Sequence, residues 1–467
     1  MYYTEFFKLC GFEEEEIERE RPRIDKTFER LGIGDGDIRR AESRVRENFD
    51  IELQGVRKLL GIWMKELLAL VLAREENKKV VYYDWPLPGA TMMAVARASD
   101  DVYVGSFGQV FNIAMGSILD KLSPILEAGE ETGLTPGSAH CGLWQTHVGA
   151  IVKGLVPIPD LIVSSGWYCD EAAEADELLH EVYGIPVVYI DGCLDSGKGQ
   201  WPEHIERRIQ YSGGQITKAL KAFEEVTGRE ITEEAQHAGR RDNARLMLNF
   251  QNLVELVGKS DPQPISQADL GLIYWMTNTV IRDREGASEA LNILLKEVKQ
   301  RVDEEKGVVE KGAPRVFYSL RQPTDPTVLK MIEGLGLALP VVFADWLVPF
   351  ERTKAQSTDF GEKVMEGYYK RGLICSTSSG IEFWKEYCKA WDVDGAILCY
   401  IYNCRPMCIW PLMAKKVIKE ELGIPVLALE GDCYDTRNYS AGQLRTRIET
   451  FADMLRAIKV AKQAGSL

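Results

Sequence analysis

Six cysteines recur at matching places in the two halves of a 467-residue chain. Cys141, Cys169 and Cys193 are 28 and 24 residues apart, and Cys375, Cys404 and Cys433 are 29 and 29 apart. Each first cysteine precedes a helix-like stretch. Each second one follows an apolar strand-like run (PDLIVSS, DGAILCYIY), and each third one follows a GIPV strand and an acid-glycine turn, IDGC or LEGDC. A free cysteine is often just a small buried hydrophobe. Ala or Val would fill such positions equally well, so six thiols at matching places point to ligation. Structural zinc usually uses local CxxC or HxxxH pairs, and the sequence has neither; its one close pair is Cys404 and Cys408, in CRPMC. Thiolates gathered from distant loops without histidine support suit an iron-sulfur cluster better. Cys10, Cys388 and Cys399 read as plain core.

Positioning such thiols is the task of the elements around them. Residues 1–77 carry charged, helix-favouring runs with apolar residues at helical spacing, a cap or dimer element. Residues 78–202 alternate short β-branched or aromatic runs with helix-like segments, 203–312 return to charged helix, and 313–467 restart the alternation in the same order. The fold class expected is α/β: two flavodoxin-like, doubly wound parallel-sheet domains related by an internal repeat and facing each other across a cleft, plus a helical N-terminal region. Ligands of open parallel sheets sit beyond the carboxyl ends of the strands. Cys169, Cys193, Cys404 and Cys433 fall there.

Composition narrows the partners. With 71 acidic and 56 basic residues the net charge is −15, and 45% of residues are hydrophobic. That balance excludes a disordered chain and disfavours nucleic acid and anionic membranes. The opening MYYTEFFKLCGF lacks a basic and then apolar signal pattern, and the apolar stretch from Leu59 to Ala73 is interrupted by Lys65 and Glu66, so a cytoplasmic protein is expected. In that compartment ten cysteines are not a disulfide framework.

Other motifs compete less well. GCLDSGKG, from Gly192 to Gly199, nearly spells a phosphate-binding loop, yet it ends in glycine where a magnesium-holding hydroxyl belongs, so it reads as a flexible turn. His140 and His147 flank Cys141 and are candidate proton donors, or else satisfied core histidines. Asp84, Trp85 and Pro86 end the first strand and point toward the cleft.

The stretch GIPVLALEGDCYDTRNYSAGQLRTRIETFADML and the NCRP at residues 403–406 resemble the 2-hydroxyacyl-CoA dehydratase and benzoyl-CoA reductase superfamily, with similarity from about Lys78 to the end. The resemblance implies a [4Fe-4S] cluster on Cys141, Cys169 and Cys404, and an ATP-hydrolysing iron-sulfur activator that supplies low-potential electrons. Cys193, Cys375 and Cys433 go beyond that pattern, with Cys408 as substitute for Cys375. Six thiolates are what two cubanes sharing a sulfide need, which is similar to the double-cubane cluster proteins: homodimeric reductases of small molecules, with an [8Fe-9S] cluster. The alternative is a dehydratase or benzoyl-CoA reductase-type subunit with a single [4Fe-4S] cluster.

Overall fold

The run VRKLLGIWMKELLALVL places apolar residues on nearly every side of a helix, so that helix can be stable only when enclosed. The computed structural model describes residues 1–83, 89–135, 140–166, 169–191, 206–274, 276–279, 282–319, 325–340, 355–370, 377–404, 407–438 and 440–464. Its first helices are α1 (Thr4–Leu9), α2 (Glu14–Leu31), α3 (Asp35–Asn48) and α4 (Gln54–Leu72). The last of these is the apolar run, with Val56, Leu59, Leu60, Trp63, Met64, Leu67 and Leu68 all buried. Close approach is built in by glycine. A Cβ on Gly61 would lie 2.4 Å from the Cys10 carbonyl oxygen, and one on Gly55 would lie 2.5 Å from Leu294 Cβ. The Trp63 indole N–H donates to the Leu272 carbonyl at 2.9 Å. Among the described residues no helix is long and apolar enough to cross a membrane.

The first α/β block runs β1 (Lys79–Tyr83), α5 (Gly89–Ala98), β2 (Val102–Gly105), α6 (Phe107–Phe111) continued by a π-helical segment Asn112–Ile118, α7 (Ser123–Glu131), α8 (Gly142–Val152), β3 (Leu161–Ser165), α9 (Asp170–Tyr183) and β4 (Val187–Ile190). All neighbouring strands are parallel, in the order β2-β1-β3-β4, with Val81 opposite Leu161 and Val163 opposite Val188. Nearly every residue of β1, β2 and β3 is buried, as expected of parallel strands covered on both faces.

A helical stretch follows: α10 (Glu206–Thr227), α11 (Glu233–Lys259), α12 (Gln267–Tyr274), α13 (Met276–Thr279) and α14 (Arg284–Asp303). The alternation then resumes with β5 (Val316–Tyr318), α15 (Thr327–Gly334), α16 (Phe360–Lys370), α17 (Thr377–Ala390), β6 (Gly395–Tyr400), α18 (Trp410–Leu422), β7 (Val426–Glu430) and α19 (Ala441–Gln463). The second sheet is parallel in the order β5-β6-β7. A parallel bridge from Arg315 to Ala338 extends it beyond β5, which gives the spatial order of the first sheet. The molecule is therefore α/β with two small parallel sheets, consistent with the flavodoxin-like arrangement expected from the sequence.

Both GIPV motifs have one physical explanation. Gly184 and Gly423 end α9 and α18 in the left-handed region, at φ 67° and 68°. Glycine reaches that conformation without a Cβ penalty, and the proline two residues later blocks further helix before the strand begins.

Two carboxyls are enclosed by this packing. Burial raises Glu66, which accepts the Tyr103 hydroxyl at 3.2 Å, to about 7, with Arg282 opposing. Burial also raises Asp269, which accepts the Asp50 N–H at 2.9 Å, to about 7. Each binds its proton more tightly folded than unfolded. The resulting stabilisation is complete below the ordinary carboxylate range and is lost as pH rises through about 7, on the order of 3 kcal/mol per group. Glu66→Gln and Asp269→Asn are expected to flatten this loss, measured as urea-denaturation free energy at pH 5 and pH 8; an unchanged pH profile would contradict it.

Candidate functional site

Cys141 and Cys169 occupy equivalent local positions. Each is the residue just before the first turn of a helix, Cys141 at α8 and Cys169 at α9, in extended backbone and with no side-chain cap. The positive end of each helix dipole therefore lies at a sulfur, a placement that favours thiolate or an anionic group bound there. In the second block, Cys404 lies four residues past the end of β6 and Cys433 three past the end of β7, at the carboxyl edge of the sheet.

The two blocks meet where these segments end. A Cβ on Gly142 would lie 3.0 Å from Tyr434 Cβ and 3.2 Å from the Asp435 nitrogen, so the start of α8 is pressed against the loop after β7. The Asn403 side-chain amide donates to the His140 carbonyl at 3.0 Å, next to both Cys141 and Cys404. At the rim Arg437 bridges Asp435 at 2.8 Å and Glu130 at 2.5 Å, joining the blocks a third time. The Asp432 carboxylate accepts the N–H groups of Tyr434 and Asp435 at 2.8 and 3.2 Å, fixing the turn that carries Cys433.

These contacts bring thiols from both blocks together. Burial holds the Cys141 thiol far above its ordinary range, and the neighbouring charges of Glu171, Cys169, Cys404 and Asp432 push the same way. Cys404 is raised chiefly by burial and then by Cys169, with Glu171 and Asp432 adding to it. Cys141, Cys169 and Cys404 thus share one buried, electronegative locality. Cys433, 6% exposed, directly follows Asp432, whose charge bears on both Cys141 and Cys404. Cys408 donates its N–H to the Cys404 carbonyl at 2.8 Å. Cys193 and Cys375 lie outside the described residues, as do Asp84, Trp85, Pro86 and the whole GCLDSGKG turn. Cys10, Cys388 and Cys399 are buried apart from the site; burial raises Cys388 and Cys399 to about 12.

The histidines differ. His140 has its Nδ1 3.4 Å from Glu171 Oε1, at the edge of the thiol group. His147 is buried inside the first block, its Nε2 3.0 Å from Asp176 Oδ1 and its ring 4.1 Å from that of Phe107.

Glu171 is the residue that sequence reasoning missed. Its carboxylate is fully buried, Oε1 accepts the Cys141 N–H at 2.6 Å, and Oε2 is 4.0 Å from Cys169 Sγ. One side chain therefore ties the backbone of one cysteine to the sulfur of the next. In sequence it looks like an ordinary acidic residue in the first turn of a helix, and its only signal is its position two residues after Cys169.

Among the described residues no group of three or more His, Cys, Asp or Glu side chains could hold a single metal ion. The donor set has another character: soft sulfur donors from separate loops, mutually interacting, largely withdrawn from solvent and met by two helix N-termini. Those features fit an anionic iron-sulfide cluster better than a lone hard cation.

Two parallel sheets with a buried thiol site between their carboxyl edges define the architectural class of this chain. The family model for the 2-hydroxyglutaryl-CoA dehydratase D-component matches residues 111–455, and the chain belongs to that family. It is 24% identical over 313 residues to the (R)-2-hydroxyglutaryl-CoA dehydratase subunit alpha of Acidaminococcus fermentans, a match covering 65% of this chain and 61% of that protein. It is 22% identical over 339 residues to the (R)-phenyllactyl-CoA dehydratase alpha subunit of Clostridium sporogenes, covering 70% and 78%. It is also 22% identical over 338 residues to a benzoyl-CoA reductase subunit of Thauera aromatica, covering 64% and 71%.

Replacing Cys169 or Cys404 by Ser is expected to lower the iron retained after anaerobic purification, because a hydroxyl is a poor soft-metal ligand; Cys399→Ser serves as the buried control and should retain it. Glu171→Gln should weaken iron retention roughly tenfold while leaving the fold intact, as loss of a group that orients ligands does. Full iron content in all three site variants would remove the assignment.

Proposed function

We propose that the chain is a homodimeric, cytoplasmic iron-sulfur reductase that holds an [8Fe-9S] double cubane between its two α/β domains and receives low-potential electrons from an ATP-hydrolysing iron-sulfur activator. The observation that carries this reading is Cys433, a further buried thiol on the turn whose Asp432 carboxylate bears on both Cys141 and Cys404. A single [4Fe-4S] cluster of the family type needs only those three. Cys193 and Cys375 would complete the set of six as the sequence counterparts of Cys433 and Cys141, and the shared strand order of the two sheets supports an internal repeat. The proposed layout is a helical region at 1–77, α/β domains at 78–202 and 313–467, and a helical connection at 203–312.

When bound, the cluster supplies one-electron transfer at low potential. The chain's own part is to keep water away from the sulfurs and present two helix N-termini to their negative charge. Glu171 positions the Cys141 backbone. His140, at the edge of the thiol group, is the ring placed to pass a proton to a small substrate there, while His147 is held by Asp176 inside the first block.

The second reading is an acyl-CoA dehydratase or benzoyl-CoA reductase-type subunit with a single [4Fe-4S] cluster, favoured by the names of the relatives, four of which are dehydratase alpha subunits. Anaerobic iron and acid-labile sulfide analysis separates the two: about eight irons per chain for the double cubane against about four for the single cluster. A count near four, unchanged by Cys433→Ser, would replace the first reading by the second. The purified chain alone should not hydrolyse ATP; hydrolysis abolished by Lys198→Ala would count against the need for an activator.

A further inference from the structure

The loop that carries Cys404 and Cys408 leads directly into an exposed apolar surface. Ile409, Leu412 and Met413 are 54%, 51% and 50% exposed, and Tyr402, just before Cys404, is 45% exposed. Three large aliphatic side chains at adjoining positions are unusual on a soluble surface, where apolar residues ordinarily occur singly. Their helix, α18, is anchored from the other side, since Pro411, Ala414 and Ile418 are buried. The exposed face continues beyond Leu412 and Met413 with Lys415, Lys416 and Lys419, all exposed and none in an ion pair among the described residues. Leu412, Lys415, Lys416 and Lys419 follow the three- and four-residue spacing of one helix face. Acidic groups lie at the other margin: Asp432, Asp435, Glu430 and Glu130 all bear on Tyr402. Two of them, Asp435 and Glu130, are engaged by Arg437.

We propose that this face of α18, with Leu412 and Met413 at its centre and Lys415, Lys416 and Lys419 along its edge, is the docking surface for an acidic protein electron donor. The inference rests on the reading of the chain as a recipient of electrons. Two observations select the occupant. The chain carries a net charge of −15, so three adjacent lysines, opposed on that edge of the helix by Glu420 alone since Glu421 is paired with Lys385, form a local field of opposite sign, which attracts an acidic partner and orients its approach. A second copy docking here about a two-fold axis would set one lysine row against the other, a repulsive arrangement. Position supplies the reason for the site: a donor seated on Ile409 and Leu412 lies against the loop that holds Cys404. The step there is a single-electron transfer in which the donor is oxidised by one electron and this chain is reduced by one, with no bond made or broken.

The test uses the full-length, cluster-loaded chain and the purified ATP-dependent activator as probe, and measures the dissociation constant by biolayer interferometry at low and high salt. Charge reversal of all three lysines (K415E, K416E, K419E) is expected to weaken binding about tenfold and to reduce its salt dependence; replacement of all three by Arg should restore both. Leu412→Ser with Met413→Ser should weaken binding at either salt concentration, while iron content and circular dichroism match the unaltered chain. Equal affinity in the charge-reversed, serine and unaltered chains would overturn the docking surface and leave the activator reading standing. No measurable binding of the unaltered chain would overturn both. Conversion of a dimer to a monomer by the serine pair, read by light scattering, would assign the face to self-association and overturn the proposal.

Discussion

Everything at the candidate site depends on how closely the two α/β blocks approach each other. The start of α8 presses closely against the loop after β7 where residue 142 has no side chain; a methyl group there would sit 3.0 Å from Tyr434 Cβ and push the loop back by a few tenths of an ångström. Around that contact, Asn403 reaches the His140 carbonyl and Arg437 ties Asp435 to Glu130. Each tie lies within a few residues of a cysteine or of a turn that carries one. The sheets therefore act as two rigid jaws, and the thiols are the teeth at their meeting edges.

Such a junction would be poorly stable if it enclosed unpaired charge. Burying an isolated carboxylate is costly, and Glu171 is accommodated by the Cys141 N–H directed at it. Burial and the negative charge of Glu171 and Asp432 both favour the neutral thiols of Cys141 and Cys404, so these two sulfurs add no further charge as the protein folds. The two helix N-termini at Cys141 and Cys169 are placed to compensate negative charge where protons leave these sulfurs. The same residues suit both states, since neutral sulfur packs as an apolar atom and thiolate sulfur ligates.

Much of this was legible in the amino-acid sequence, because the signals are local. The apolar run of α4, the alternation of short strands with helices, and the glycine-isoleucine-proline boundary before each last strand depend on neighbours within a few positions, and the helices and parallel strands appear where those patterns lie. The family could also be named from the NCRP and the C-terminal stretch, and the family match agrees. What was not legible depends on distance across the fold. Glu171 has no distinguishing local pattern, Gly142 looks like any helix-starting glycine, and Asp432 is one acid among many; each acquires its role only when α8, α9 and the loop after β7 converge. His140 and His147 looked alike in sequence, yet one stands at the thiols and the other is engaged with Asp176, because a helix turns the second ring away toward α9.

The second block also shows why spacing alone misaligns the cysteines. Cys408 and Cys169 each lie 15 residues before the glycine that ends their helix, so counting pairs Cys408 with Cys169. The folded chain breaks that equivalence. Cys169 directly precedes α9, whereas Ile409 takes the corresponding place at α18 and the Cys408 N–H donates to the Cys404 carbonyl. Between the end of β6 and the start of α18 the chain places Cys404 in the locality of Cys169 and Cys141. Two parallel sheets of the same strand order can thus carry their cysteines at different distances from the following helix, so the environment of each sulfur says more about its neighbours than its number along the chain.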